Sequence, residues 1–245
     1  MTADRRGAVN GTGHSVLVVQ NTPAGGPGRV GRWLREAGLD LEVVRAYTGA
    51  PLPQSLGDRA LIVLGGGFLP DEDGRAPWLP AVRRLAGQAL ADGNPALGIC
   101  LGGQLLAHVA GGTVRGRSGE PECGSTPVRL RDEAREDPLF GGLSPVVPAM
   151  ERHVDAVTEL PPGAVWLADS ERCRYQGFRL GERAWGVQFH PEAEAADVLR
   201  WDRDWLRSRG FDPDGLYERA VADEPVSSAA WEGFTRRFAA VVAQR

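Results

Sequence analysis

The residues with the most chemistry in this sequence are Gly98-Ile99-Cys100-Leu101-Gly102, a cysteine with a glycine two positions away on each side. An apolar run ends at the cysteine and a helix-like stretch, Gln104–Ala110, follows it, so Cys100 falls where a strand turns into a helix. Glycines at such a turn let the backbone crowd together and push the side chain outward, the thiol counterpart of a nucleophile elbow. At a helix N-terminus the free N–H groups and the dipole favour the thiolate, which is the attacking species. An unperturbed thiol titrates near ~8.5, so a base or a positive charge must also help at neutral pH. The same pattern would suit a small cysteine packed at a strand end.

Four histidines could supply the base. His14 borders the N-terminal tail, and His108 sits mid-helix between Ala107 and Val109, where a packed or half-exposed ring is expected. His153 follows Glu151-Arg152 in a turn-like stretch and stays open as a candidate. His190 ends the strand-like run Trp185–Phe189 and begins His190-Pro191-Glu192. In open parallel sheets, sites form at the carboxyl ends of strands, where Cys100 and His190 are both expected. Glu192, two positions further on, points the same way as His190 in extended backbone. Its carboxylate can bond the far imidazole nitrogen, fix the tautomer and stabilise the imidazolium. Read without that role, Glu192 is an acid at a helix N-terminus.

The elements that must position these groups alternate in the first half. Strands are expected at Val16–Val19, Leu41–Tyr47, Ala60–Leu64 and Pro95–Cys100. Helices are expected from Val30 to Ala37, from Trp78 to Ala89 and from Gln104 to Ala110. Strict alternation implies parallel strands with helices on both faces. The middle then turns to short β-like stretches at Val128–Leu130, Val154–Val157, Val165–Leu167, Gln176–Leu180 and Trp185–Phe189, with Leu180–Ala184 as a hairpin loop. Downstream of Glu192, Val198, Trp201 and Trp205 mark one helix, and Trp231, Phe234, Phe238 and Val241 another. The fold class expected is α/β, an open mostly parallel sheet flanked by helices with a small antiparallel layer added. Residues 14–192 form the catalytic domain, 193–245 a helical extension of the same domain, and 1–13 a frayed tail.

Composition narrows the function classes. The chain has 28 basic residues, all arginine, against 32 acidic ones, a net charge of −4, so a general nucleic-acid binder is not expected. No run of about 20 apolar residues is present to span a membrane. Behind Arg5-Arg6 no apolar core follows, since Val16–Val19 stops at Gln20-Asn21, so no secretory signal is expected. Three cysteines at wide spacings match no metal motif and suggest free thiols in a cytoplasmic setting, with Cys123 and Cys173 structural. Asp71-Glu72-Asp73 reads as a solvated loop before a helix. Gly25-Gly26-Pro27-Gly28 reads as a turn, because no Lys or Ser/Thr follows at phosphate-loop spacing.

Taken together, Gly98–Ala107 and Gly186-Val187-Gln188-Phe189-His190-Pro191-Glu192 resemble the two signatures of the class I glutamine amidotransferases. Leu64-Gly65-Gly66-Gly67 resembles that family's oxyanion loop, and the resemblance runs from about Val16 to Glu192. Glu122-Cys123-Gly124 with Pro127-Val128, then His153-x-Asp155 and the helical tail, are similar to GMP-synthase-like members. The resemblance implies a flavodoxin-like architecture and a Cys100, His190 and Glu192 triad. It implies an oxyanion hole from the N–H groups of Gly66 and Leu101, and substrate contacts from Gln104, His153 and Asp155. Val154 stands where relatives have glycine, and Gly103 where they often have a larger residue.

The activity so implied is hydrolysis of the side-chain amide of glutamine through a Cys-bound glutamyl thioester. No cofactor and no metal are expected. About 50 residues after Glu192 and no ATP motif imply a separate ammonia-accepting synthetase as partner, with no membrane or nucleic acid involved. Two alternatives use the same residues or the same scaffold: a γ-glutamyl amide or peptide hydrolase with this triad, and a non-catalytic regulatory subunit.

Overall fold

The computed structural model describes residues 14–117 and 120–244; the tail expected over 1–13 lies outside the described residues. β1 (Ser15–Gln20), β2 (Asp40–Arg45), β3 (Ala60–Val63) and β4 (Ala96–Ile99) are parallel, as their alternation with α1 (Gly28–Glu36), α2 (Leu79–Asp92) and α3 (Leu101–Val109) requires. The small antiparallel sheet consists of β5 (Thr113–Arg115) and β8 (Ala156–Glu159). The remaining strands widen the main sheet: β6 (Glu122–Leu130), β7 (Val146–His153), β9 (Val165–Asp169), β10 (Gly177–Leu180) and β11 (Ala184–Val187). Its order is β2-β1-β3-β4-β11-β10-β9-β6-β7. β11 returns from the β10 hairpin to lie parallel to β4, pairing Gly186 with Gly98 and Val187 with Ile99. That register brings the ends of the two site-bearing strands side by side.

Successive strand residues face opposite sides of the sheet. Val16 and Val18 pack on one side with α1 and the C-terminal helix, through Trp33, Leu34, Trp231 and Phe238. Leu17 and Val19 pack on the other with α2 and α3, through Leu85, Ala86, Leu101 and Leu105. The mostly parallel, helix-flanked architecture read from the sequence is the one observed.

Several boundaries differ from expectation. α3 begins at Leu101, directly after the elbow cysteine, because Gly102 and Gly103 pack so closely that helix starts before the apolar periodicity does. β7 carries no period-2 signal through Pro148 and Glu151-Arg152-His153, and the strand expected at Val154–Val157 begins only at Ala156. The stretch from Val198 to Trp205 splits into a 3-10 turn (Ala195–Arg200) and α4 (Arg203–Ser208). α5 (Pro213–Ala243) is one 31-residue helix despite Pro225, and buries Val242 in place of Val241. Burial of Trp231, Phe234 and Phe238 offsets the N–H lost at the proline.

Candidate active site

Cys100 sits at the β4–α3 junction with φ +53° and ψ −111°, a left-handed conformation unusual for a side-chain-bearing residue. Such strain persists only when the surroundings fix it. Its N–H donates to Val187 O at 2.8 Å, and its carbonyl accepts from Gln104 N at 3.0 Å. The flanking glycines are required by contact: a Cβ on Gly102 would lie 1.9 Å from Val63 O, and one on Gly98 2.3 Å from Gly102 C. The elbow is therefore a place where helix and strand backbones touch.

His190 follows β11 and is held by its N–H to Met150 O of β7 at 2.7 Å. Its Nδ1 lies 2.7 Å from Glu192 Oε1. A Cβ on Gly65 would meet both His190 Cε1, at 2.9 Å, and Cys100 Cβ, at 3.5 Å, so thiol, ring and glycine loop converge at one point. Burial by itself lowers the His190 pKa; the Glu192 and Cys100 charges and their hydrogen bonds to the ring outweigh it and raise the pKa well above the ordinary value. A cleft of about 650 Å³ opens over Cys100, His190, Glu192 and Gly65-Gly66-Gly67. Its wall also carries Arg152, whose guanidinium stacks 5.3 Å from the Trp201 ring centre.

The glycine loop is anchored by Asn21, whose Nδ2 donates to Leu64 O at 2.7 Å and whose Oδ1 accepts from Trp78 Nε1 at 3.0 Å. Across from it, Leu101 is the first residue of α3, where N–H groups have no acceptor within the helix. Gly66 and Leu101 stand close together, since a Cβ on Gly66 would meet Leu101 Cδ2 at 2.8 Å.

Gln104, His153 and Asp155 lie together, but not among the residues lining the cleft. The Gln104 amide donates to Asp155 O and Gln188 Oε1, both at 3.0 Å. Gln188 in turn donates to Cys100 Sγ at 3.5 Å. His153 is buried against Glu122, Nε2 to Oε2 at 3.1 Å, with its Nδ1 on Asp155 O at 3.2 Å. Sequence reasoning assigns Gln188 no role, although a polar residue inside an apolar strand end is the signal that finds it. Gly28, in sequence part of a turn, has a tighter duty in the fold: a Cβ there would lie 2.2 Å from Glu192 O.

Behind β7 a polar cluster is closed off from solvent. Glu122 accepts from Gln176 and Ser170, and Glu151 is wholly buried, its Oε2 3.4 Å from His153 Nε2. Neither Glu151 oxygen has a hydrogen-bond partner among the described residues. Burial first, and then the Glu122 charge, raises its pKa well above the carboxylate range. Glu122, His153 and Cys173 are the group among the described residues whose donor atoms gather within 4.8 Å, as a metal site would need. Burial holds the Cys173 thiol well above its ordinary pKa, which favours the protonated form over a thiolate ligand. Cys123 is buried too, and burial pushes its pKa up to about 12.

Among the described residues no helix is long and apolar enough to cross a membrane. Residues 29–197 match the family model for glutamine amidotransferase class-I. The chain is 45% identical over 101 residues to a subunit of the glutamine-hydrolyzing GMP synthase of Sulfolobus acidocaldarius, a match covering 41% of this chain and 52% of that one. The subunit of the same name from Methanopyrus kandleri is 36% identical over 169 residues, covering 66% and 83%. The chain thus spans about half the length of the Sulfolobus relative and more of the Methanopyrus one. A solved glutamine amidotransferase from Thermotoga maritima superposes with a TM-score of 0.81 at 28% identity, covering 92% of this chain and 97% of that one. By fold, motif and match, the chain belongs to the class I glutamine amidotransferases, on their GMP-synthase-like side.

Proposed function

We propose that this protein hydrolyses the side-chain amide of glutamine, with Cys100 as nucleophile, His190 as acid–base and Glu192 as the residue orienting His190. The observation that carries the reading is the convergence of thiol, imidazole and carboxylate at one cleft, with His190 Nδ1 on Glu192 Oε1 at 2.7 Å. His190 takes the thiol proton, the resulting thiolate adds to the amide carbon, and the oxyanion so formed accepts from the N–H groups of Gly66 and Leu101. Collapse breaks the C–N bond as His190 gives a proton to the leaving nitrogen, releasing ammonia and leaving the glutamyl thioester. His190 then takes a proton from water, which attacks the thioester to give glutamate and free Cys100.

Gln104 supports the thiol through Gln188, while His153 and Asp155 fix the β7 end beside the substrate. Arg152, with no ion-pair partner among the described residues, offers the charge an α-carboxylate needs at the cleft wall. Ammonia released here serves a separate acceptor-activating synthetase, a reading supported by relatives named as subunits of GMP synthase. The test is ammonia release from glutamine by the purified protein beside Cys100→Ala, alone and with candidate synthetases. Equal background in both, under every condition, removes the catalytic reading and leaves a binding subunit. Preference for a γ-glutamyl amine over glutamine in a substrate panel moves the assignment to γ-glutamyl amide hydrolysis.

A further inference from the structure

Arg29, at the start of α1, is a charged side chain with only 1% of its surface exposed, and the proposed chemistry leaves it without a role. Three bonds leave its guanidinium. Nε donates to Pro191 O at 2.8 Å, Nη1 to Glu224 Oε1 at 2.5 Å and Nη2 to Ser227 Oγ at 3.0 Å. Its backbone N–H donates to Glu192 O at 3.1 Å. Glu224, on α5, uses its other oxygen to accept from Ala195 N at 2.8 Å. The two residues after His190 and the turn that follows are therefore tied, through one guanidinium and one carboxylate, to a helix that lies beyond the family match.

Burying an arginine is costly unless its partners compensate. Desolvation lowers the Arg29 pKa, against the raising influence of Glu224, Glu194 and Glu192. A guanidinium with three acceptors on two elements is a fork that fixes direction, which a lysine cannot reproduce. Glu192 Oε2 is buried with no hydrogen-bond partner among the described residues, so the carboxylate is held through Oε1 and its own backbone. Gly28 allows the approach by leaving space where a Cβ would strike Glu192 O. On the same face Phe189 stacks 4.4 Å from Trp231 of α5, which keeps α5 against the strand end that carries His190.

We propose that Arg29 is a positioning residue for the glutamine-hydrolysing site, anchoring the Pro191-Glu192 turn to Glu224 and Ser227 of α5 so that Glu192 stays on His190. The inference rests on the function proposed above and gives α5 a part in it: displacing the helix from Arg29 loosens the triad without touching substrate.

The test compares the full chain with Arg29→Met and Glu224→Ala, reading kcat and KM for glutamine and the pH dependence of Cys100 alkylation by iodoacetamide. Thermal melts report folding. In Arg29→Met, kcat falls about 10–100-fold with KM nearly unchanged, as for a small misplacement of a catalytic group. The onset of alkylation moves to higher pH, because a ring less well held by Glu192 supports the thiolate less. Arg29→Lys keeps the charge, loses the fork and recovers only part of the activity. Glu224→Ala, at a half-buried site, shows the same changes to a smaller degree and decides the matter if Arg29→Met does not fold. Folded variants with unchanged kcat and alkylation profile, or a loss confined to KM, overturn the proposal. If the wild-type chain does not turn over glutamine, the alkylation profiles still report whether Arg29 positions His190, so the two readings fail separately.

Discussion

His190 and Glu192 face each other across Pro191, with 2.7 Å between Nδ1 and Oε1. Burial lowers the His190 pKa, and the Glu192 charge is the largest of the influences that raise it past the ordinary value. In Glu192→Gln that charge is gone and the imidazolium loses its proton at lower pH. The alkaline limb of the kcat/KM profile then moves to lower pH, and kcat falls by about 10² or more. The limb belongs to the coupled thiol–imidazole pair and is read as such. A variant whose limb stays in place contradicts the role given to Glu192.

The proposed oxyanion hole takes one main-chain donor from Gly66, so removing that donor probes it directly. Gly66→Pro loses about 2.7–4 kcal/mol of transition-state stabilisation, a 10²–10³-fold drop in kcat. Alkylation of Cys100 at the wild-type rate shows that the elbow is intact in the same sample. Wild-type kcat in that variant places the oxyanion elsewhere.

Arg152 stacks on Trp201 at the cleft wall, apart from the reacting atoms. Arg152→Ala raises KM for glutamine about 10-fold with kcat held, as loss of one charged contact does. The α-amide of glutamine, which lacks the carboxylate, shows little change. Equal losses on both substrates contradict recognition by charge.

Much of this site is legible along the chain. Gly98, Cys100 and Gly102 mark the elbow because only glycine permits a backbone contact as close as that of Gly102 with Val63. His190 and Glu192 are two positions apart in sequence, so their pairing is local. The parallel core follows from apolar runs alternating with amphipathic helices. What could not be read depends on distant partners. β7 is hidden because Pro148 interrupts its pattern and its buried face includes the polar Glu151 and His153, and nothing local pairs Glu122 with His153, 31 positions away. Arg29 looks like any helix arginine until α5, 195 positions on, is folded against it. The predicted contacts of Gln104 depend on side-chain direction, and the amide faces Gln188 and Asp155.

Glu151 predicts a pH-dependent stability. Its pKa is raised in the folded protein by burial and by Glu122, with Cys100 adding to the rise and His190 and Gln176 opposing it. His153 also faces it, at 3.4 Å. The folded state therefore keeps a proton that the unfolded chain releases near the ordinary value of 4.5, and stability falls as pH rises above that point. Glu151→Gln flattens this fall and raises Tm at neutral pH by about 2–4 °C for each kcal/mol of penalty removed. Melting curves from acid to neutral pH that are parallel in both proteins contradict a neutral, buried acid at this position.

The most direct measurement is mass spectrometry of the intact and digested protein after reaction with an electrophilic glutamine analogue. One adduct is expected, on the peptide carrying Cys100, lost in Cys100→Ala and suppressed by excess glutamine. Labelling at Cys123 or Cys173, or a preparation that releases ammonia from glutamine while Cys100 stays unmodified, would contradict it.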